Sequence, residues 1–477
     1  MRLSMPRLRA ERRGLRLWHV WIVLPLAFVT AIAVAVGVFF TGWDLLGARE
    51  LKPEHRIDSK TLFDLVKLSF GVVAGAGALV ALIVAYRRQR VDEDGALREA
   101  TRLHTERFTT AVSQLGDDSA AVRLGGVHAL AGLADDAPTR ELRQTCIDVL
   151  CAYLRLPYTA ETDLPAGDAE ARHTYLALRE VRHTVIRLIR DHLRLEPEHP
   201  HSWQGHDFDL TEVTFDGGDL SKATFSGSRV SFRGARFSGG RTDFSGAEFS
   251  DSTIDFVEAK FSGGTVDFHG ATFSGGRTDF SVAKFSGGTV DFHGATFSDG
   301  TVFFSGARFT SGTVDFRGAR FTGGTIYFSQ ARFSGGTVDF RWATCSDGTV
   351  DYRRATFSDG TVYFSGATFS DGTVIFSEAM FSGGTVYFSE ARFSGGTVYF
   401  RGATLSGGTV DFRGATFSSG SVYFREVRFS GSTVNLGGAR FTGGLVDFSQ
   451  SIGSAPTGLV PPSGHPRPAG LFLPPNW

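Results

Sequence analysis

Only three cysteines occur in 477 residues, too few for a disulfide framework. Cys146 and Cys151 fall in a helical pattern and Cys345 takes the slot of a repeated phenylalanine, so a reducing compartment is expected. Excess charge is equally scarce. The formal net charge is −1, which provides no global attraction to nucleic acid or acidic lipid. No glycine-rich loop opens a helix, and no nucleophile–base pair stands out. Asp267 with His269 and Asp291 with His293 resemble acid–base pairs but lack any nucleophile. No enzyme activity, cofactor, metal or small-molecule substrate is expected. His199, His201 and His206 crowd a proline-containing stretch at 197–207, which is read as a linker because it lacks cysteine and helical spacing.

What is abundant is periodicity. From Phe225 to Phe448 an aromatic or large apolar residue recurs at steps of five, then seven, and 34 of the 38 positions are Phe; Cys345, Tyr352, Leu405 and Leu436 are the exceptions. Two residues earlier sits a small residue on the five-step arm (Ala235, Ala247, Ala259) and a β-branched one on the seven-step arm (Val266, Val290, Val314). Such strictness means a solenoid whose units bury their apolar edges only against neighbours. The residue after the seven-step Phe alternates long and short (His269, Ser281, His293, Ser305, Arg317). A coil of 24 residues would stack like on like; a flat coil of 12 is the rival.

At its start the rhythm is plainer. Leu210, Phe215, Leu220 and Phe225 are five apart within DLTEVTFDGGDLSKATF, and later units such as Ala247-Glu248-Phe249-Ser250-Asp251 parse likewise. This resembles the pentapeptide-repeat family over residues 208–448, departing from it by two extra residues (Gly264-Thr265, for example) between alternate units. The resemblance implies a right-handed quadrilateral β-helix with the central residue and the preceding Ala inward. Nine such coils at about 4.8 Å would make a rod near 43 Å long. Some relatives imitate DNA and bind DNA gyrase. Residues 201–450 hold 25 acidic and 21 basic residues, a poor match to a duplex, so a DNA-mimic regulator is the alternative and direct nucleic-acid binding is not expected.

Two stretches are long and apolar enough to span a bilayer, 17–43 and 62–86. Trp18, Trp21, Trp43 and Tyr86 sit at their ends, with arginines before the first and after the second, so both termini are expected in the cytoplasm. The predicted organisation is therefore a basic segment (1–16), a transmembrane hairpin (17–43 and 62–86) around an extracytoplasmic loop (44–61), a small all-α connector (91–196), the β-solenoid (205–452) and a proline-rich tail (453–477). In the connector, Ser119 caps one helix and Thr139 opens a second; a third runs from about Ala169 to Leu195. That third helix carries Arg179, Arg182, Arg187, Arg190 and Arg194 on one side, read as a solvated face or a site for acidic headgroups. The helical domain is expected to cap the first coil.

On the coil surface, Arg236, Lys260, Lys284, Arg308 and Arg332 should form one column and Asp267, Asp291, Asp315 and Asp339 another. The two are read as offsetting each other, or as a docking strip for a charged partner. Tyr363, Ile375, Tyr387, Tyr399 and Tyr423 are expected to form an outward apolar patch. Threonines at 265, 289, 313 and 337 invite comparison with ice-binding helices, but neighbouring Asp and Tyr argue against it. The sequence thus predicts a membrane-tethered cytoplasmic scaffold that binds a protein partner, or itself, through the solenoid.

Overall fold

A computed structural model describes residues 58–460 and 467–477, and scattered positions between Pro25 and Asp44. Contacts divide the chain into two units, 1–102 and 103–477. Helix α1 (Ser59–Leu115) is continuous through the positions expected to end the second membrane segment (86) and to begin the connector (91). The expected first arm, 17–43, lies largely outside the described residues. Among the described residues, no helix is long and apolar enough to cross a membrane, and the transmembrane hairpin is not found. Four side chains in the second arm (Leu65, Ser69, Val72 and Val73) also lie outside them.

In the larger unit, α2 (Ala120–Asp135), α3 (Arg140–Arg155) and α4 (Ala169–Leu193) follow. Thr139 accepts from the Leu142 amide and Asp168 from that of Ala171, each satisfying one of the orphan donors of a first helical turn. Val127, Leu130, Ile147, Leu150, Val181, Val185 and Ile189 pack into one core. The 197–207 stretch is not a free linker. Trp203 is buried, stacks on His192 at 4.1 Å and donates to Asp135.

The chain then winds into a parallel β-solenoid of about 11 turns with ~24 residues per coil. Register decides the repeat length. Lys260 pairs with Lys284 and Val266 with Val290, so a layer closes after two sequence units and the flat 12-residue coil is excluded. The four expected sides are hydrogen-bonded as two walls, sheets of 20 and 15 strands. Wall A carries Phe249, Phe273 and Phe297 in register; wall B carries Phe237, Phe261 and Phe285. The nine-coil expectation was short because pairing begins at Phe208, in the plainer prologue, and ends in the tail at Phe472. At about 4.8 Å per layer the coil is roughly 53 Å long.

Phenylalanines fill its interior as four columns. Within a column, rings stack face to face: Phe292–Phe316 and Phe316–Phe340 have centroids 4.8 and 4.7 Å apart with planes 2° apart. Between the two seven-step columns, rings meet edge to face, as in Phe304–Phe316 at 5.9 Å and 86°. Both geometries suit the ring quadrupole when stacks are offset. Ala and Val two residues before each ring are buried too. Two kinds of corner turn the chain. Gly276, in the Ser-Gly-Gly corner, has φ +60° and a Cβ there would lie 2.2 Å from the Ser252 carbonyl oxygen, so only Gly fits. The other corner is the residue before each Ala, also left-handed, and it accepts Glu258, Val282 and Trp342.

The ends are closed by chain outside the strict repeat. In the tail, Leu471–Phe472 pairs with the last full rung, while Trp477 packs 5.5 Å from Phe429 and 5.7 Å from Phe448 and donates to the Gly453 carbonyl. This removes an open edge that would otherwise invite pairing with another chain.

Replacing Phe316 by Ala should cost about 3–5 kcal/mol, read as a lowered urea midpoint. Phe316→Leu should cost clearly less, because Leu405 and Leu436 already occupy equivalent slots and are buried.

Candidate partner-binding surfaces of the coil

The arginine face of α4 is only partly solvated: Arg187 and Arg194 are exposed, but the others are drawn inward. Arg182 is buried, donates to the carbonyls of Leu154 (2.7 Å) and Thr214 (2.8 Å) and lies 4.1 Å over the Tyr158 ring. Arg190 pairs with Asp219, and Arg194 donates to the backbone and hydroxyl of Ser221. Arg182, Arg190 and Arg194 thus bind the helical cap to the first coil, while Arg187 stays exposed and bonds Thr184 of its own helix. At its centre is Asp216, buried, accepting from Tyr158 (2.6 Å) and Tyr175 (2.7 Å), with His183 Nε2 at 3.5 Å. Burial alone would raise its carboxyl, but hydrogen bonds from His183, Tyr158 and Tyr175 outweigh it and hold the group down at about 2. Burial, helped by Arg140 and Arg143, pushes His206 down to about 4; its Nδ1 sits 3.0 Å from Gln144. Among the described residues, no group of histidines, cysteines and carboxylates could hold a metal ion.

The charged columns exist as register columns with unequal fates. Arg236, Lys260, Lys284, Arg308 and Arg332 stand on successive rungs of wall B. Asp267, Asp291, Asp315 and Asp339 also align on wall B, but three of the four are buried at its corner. Asp267 and Asp291 accept from the backbone amides of His269 and His293, both at 2.7 Å, so neither carboxylate is paired with an imidazole. Asp315 and Asp339 accept from the amides and guanidinium groups of Arg317 and Arg341. The two columns therefore do not offset each other. Asp267 also pairs with Arg241 of the neighbouring rung, and each aspartate is thus tied up locally, which leaves the surface without the continuous acidic face of a DNA mimic.

The aromatic residues separate. Tyr363 and Tyr387 are on wall B, stacked 5.1 Å apart, whereas Ile375, Tyr399 and Tyr423 are on wall A, where the two tyrosines stack at 5.4 Å. The expected single patch is thus two, because successive 12-residue units alternate between walls. Sequence reasoning missed Trp342, which replaces the Gly of most corners in its column. It is 63% exposed at φ 57°. The Arg341 guanidinium lies 5.6 Å from its ring and 5.1 Å from that of Tyr363, joining Trp342, Tyr363 and Tyr387 into one patch beside wall B. The signal was legible as the break in Gly-Ala at RWATC. The stacked pair Phe303–Tyr327 on wall A was also missed.

Residues 383–421 and 407–452 match the family model described as pentapeptide repeats (9 copies). That stretch, the last third of the coil, is therefore similar to pentapeptide repeats. Neither the curated proteins nor the solved structures yielded a match. The matched segment includes Tyr387, Tyr399 and Tyr423, while the basic column and Trp342 lie before it.

Acid should loosen the cap in two steps. His206 is lowered from 6.5 when folded, so the unfolded chain binds its proton first and stability falls as pH drops from about 6.5 to about 4. Asp216 is lowered from 3.8, so its contribution is full above about pH 4 and is lost as pH falls through about 2. Asp216→Asn should weaken docking at neutral pH by about 1–3 kcal/mol and erase the lower step only, followed by tryptophan fluorescence.

Proposed function

We propose that this chain is a non-catalytic scaffold that holds a protein partner on the pentapeptide-repeat coil. The observation that carries this reading is the Trp342–Arg341–Tyr363–Tyr387 patch. Trp, Tyr and Arg are the side chains that dominate binding energy at protein interfaces, and a tryptophan exposed at a left-handed corner where Gly would cost nothing is maintained against local strain. The surrounding rungs are rigid, so the partner would meet a preorganised surface.

Membrane tethering is the second element of the proposal. Leu68–Tyr86 contains no charged residue, and Leu68, Phe70 and Leu82 on α1 are at least 67% exposed, a surface that lipid would cover more favourably than water. Arginines at 87, 88 and 90 support the cytoplasmic side for the coil.

Trp342→Gly separates binding from folding, since it restores the repeat residue and relieves the positive φ. It should leave the urea midpoint unchanged or raised while reducing crosslinking to the partner in native membranes about tenfold or more. Unaltered crosslinking would remove the patch from the proposal. Full-length chain should resist carbonate extraction, and chain lacking residues 1–102 should be released; release of both would refute the tether.

A further inference from the structure

The basic column of wall B has no structural use. Its first member, Arg236, is held by Asp163 at 2.7 and 3.1 Å. Lys260, Lys284, Arg308 and Arg332 are exposed and make no ion pair among the described residues. Of the nearby carboxylates, Glu258 binds Arg233 at 3.0 Å, Asp315 binds Arg317 and Asp339 binds Arg341, while Glu212 is exposed at the Arg236 end of the column. Four cations one layer apart repel each other, and the fold gains nothing visible in return. Beyond Arg332 the column becomes Thr356, Met380 and Thr404, so the charge is confined to three inter-rung steps, about 14 Å.

Lys260, Lys284 and Arg308, with Arg236, line an open groove of about 640 Å³, bordered on the corner side by Glu212, Glu258 and Val282; Arg332 continues the column one rung beyond it. Val282 is a β-branched residue held at φ 60° and 45% exposed. Beyond the acidic corner residues Glu212 and Glu258, the next three corners, flanking Lys284 and Arg308, are Val282, Gly306 and Gln330, without a carboxylate.

From this arrangement we infer that the groove binds an extended acidic polypeptide segment of a partner protein, laid across the rungs. This deepens the scaffold reading by adding a second surface with its own chemistry. An extended strand presents same-side residues about 6.6–6.8 Å apart, so three alternate Glu or Asp residues span about 13 Å, close to the roughly 14 Å occupied by the four cations. Single-stranded nucleic acid is disfavoured because the column holds no aromatic platform for bases. An anionic lipid surface is disfavoured because Val282 is the only large apolar residue bordering the groove.

The test is fluorescence anisotropy with the full-length chain in detergent and a labelled (Glu-Ser)6 peptide. Its (Gln-Ser)6 counterpart, a dT12 oligonucleotide and phosphatidylserine vesicles serve as competitors. Lys260→Glu, Lys284→Glu and Arg308→Glu combined should weaken peptide binding at least about tenfold at low salt. Arg392→Glu with Arg440→Glu on wall A, equally exposed and also without an ion pair, should leave it within about twofold. Circular dichroism checks that both variants keep the coil. Equal binding of the Gln peptide, an unaffected triple variant, equal damage from the wall A variant, or stronger competition by oligonucleotide or vesicles each overturns the inference. Trp342→Gly should retain peptide binding, so failure of the groove and failure of the aromatic patch are read separately.

Discussion

Everything in the coil depends on stacking identical rings at the spacing that parallel strands impose. Backbone hydrogen bonding fixes adjacent layers about 4.8 Å apart, and offset aromatic rings pack well at that distance. Phe256 and Phe280 have centroids 4.5 Å apart and Phe280 and Phe304 4.8 Å. The backbone ladder and the side-chain ladder therefore share one period, and neither strains the other. Any residue placed in the ring slot inherits both constraints. Tyr352 shows the tolerance: its ring remains in the column at 4.8 Å from Phe328 and Phe376, beside the smaller Cys345 at the preceding ring position.

That shared period turns sequence position into surface address. A residue outside the core is repeated 24 positions later directly above itself, so each departure from the consensus marks one spot on one wall. Positive charge at the five-step arm is such a departure, and the Trp342 corner is another. Aspartate at the end of the seven-step arm is different. It recurs because its carboxylate closes the turn by accepting the amide two residues ahead, which is local architecture presented as charge.

The coil, its 24-residue layer and its buried rings were legible because they depend on strict periodicity and on volume. The helices of the cap could be read from Thr139, Ala169 and their apolar spacing. What could not be read was which neighbour each polar group would meet. Arg182 and Arg190 have the spacing of a solvated helix face, yet they cover the first coil, because nothing in one helix reveals the surface against which it docks. The tyrosines read as one patch because they share a slot in the 12-residue unit; their division between walls follows only when the 24-residue closure is applied to the surface as well as to the core. The tail between Ser451 and Trp477 has no repeat, and its closing of the last rung follows from a single indole meeting Phe429 and Phe448.

The closure after two units has a consequence for how such a chain can change length. Gain or loss of 24 residues adds or removes a storey and leaves every downstream side chain facing as before. Gain or loss of 12 leaves the interior equally well filled but turns the remainder of the tower half a revolution, exchanging its front for its back. Lineages that keep a recognition face must therefore grow by pairs of units, whereas an odd unit would hand that face to the opposite flank at no expense to the core.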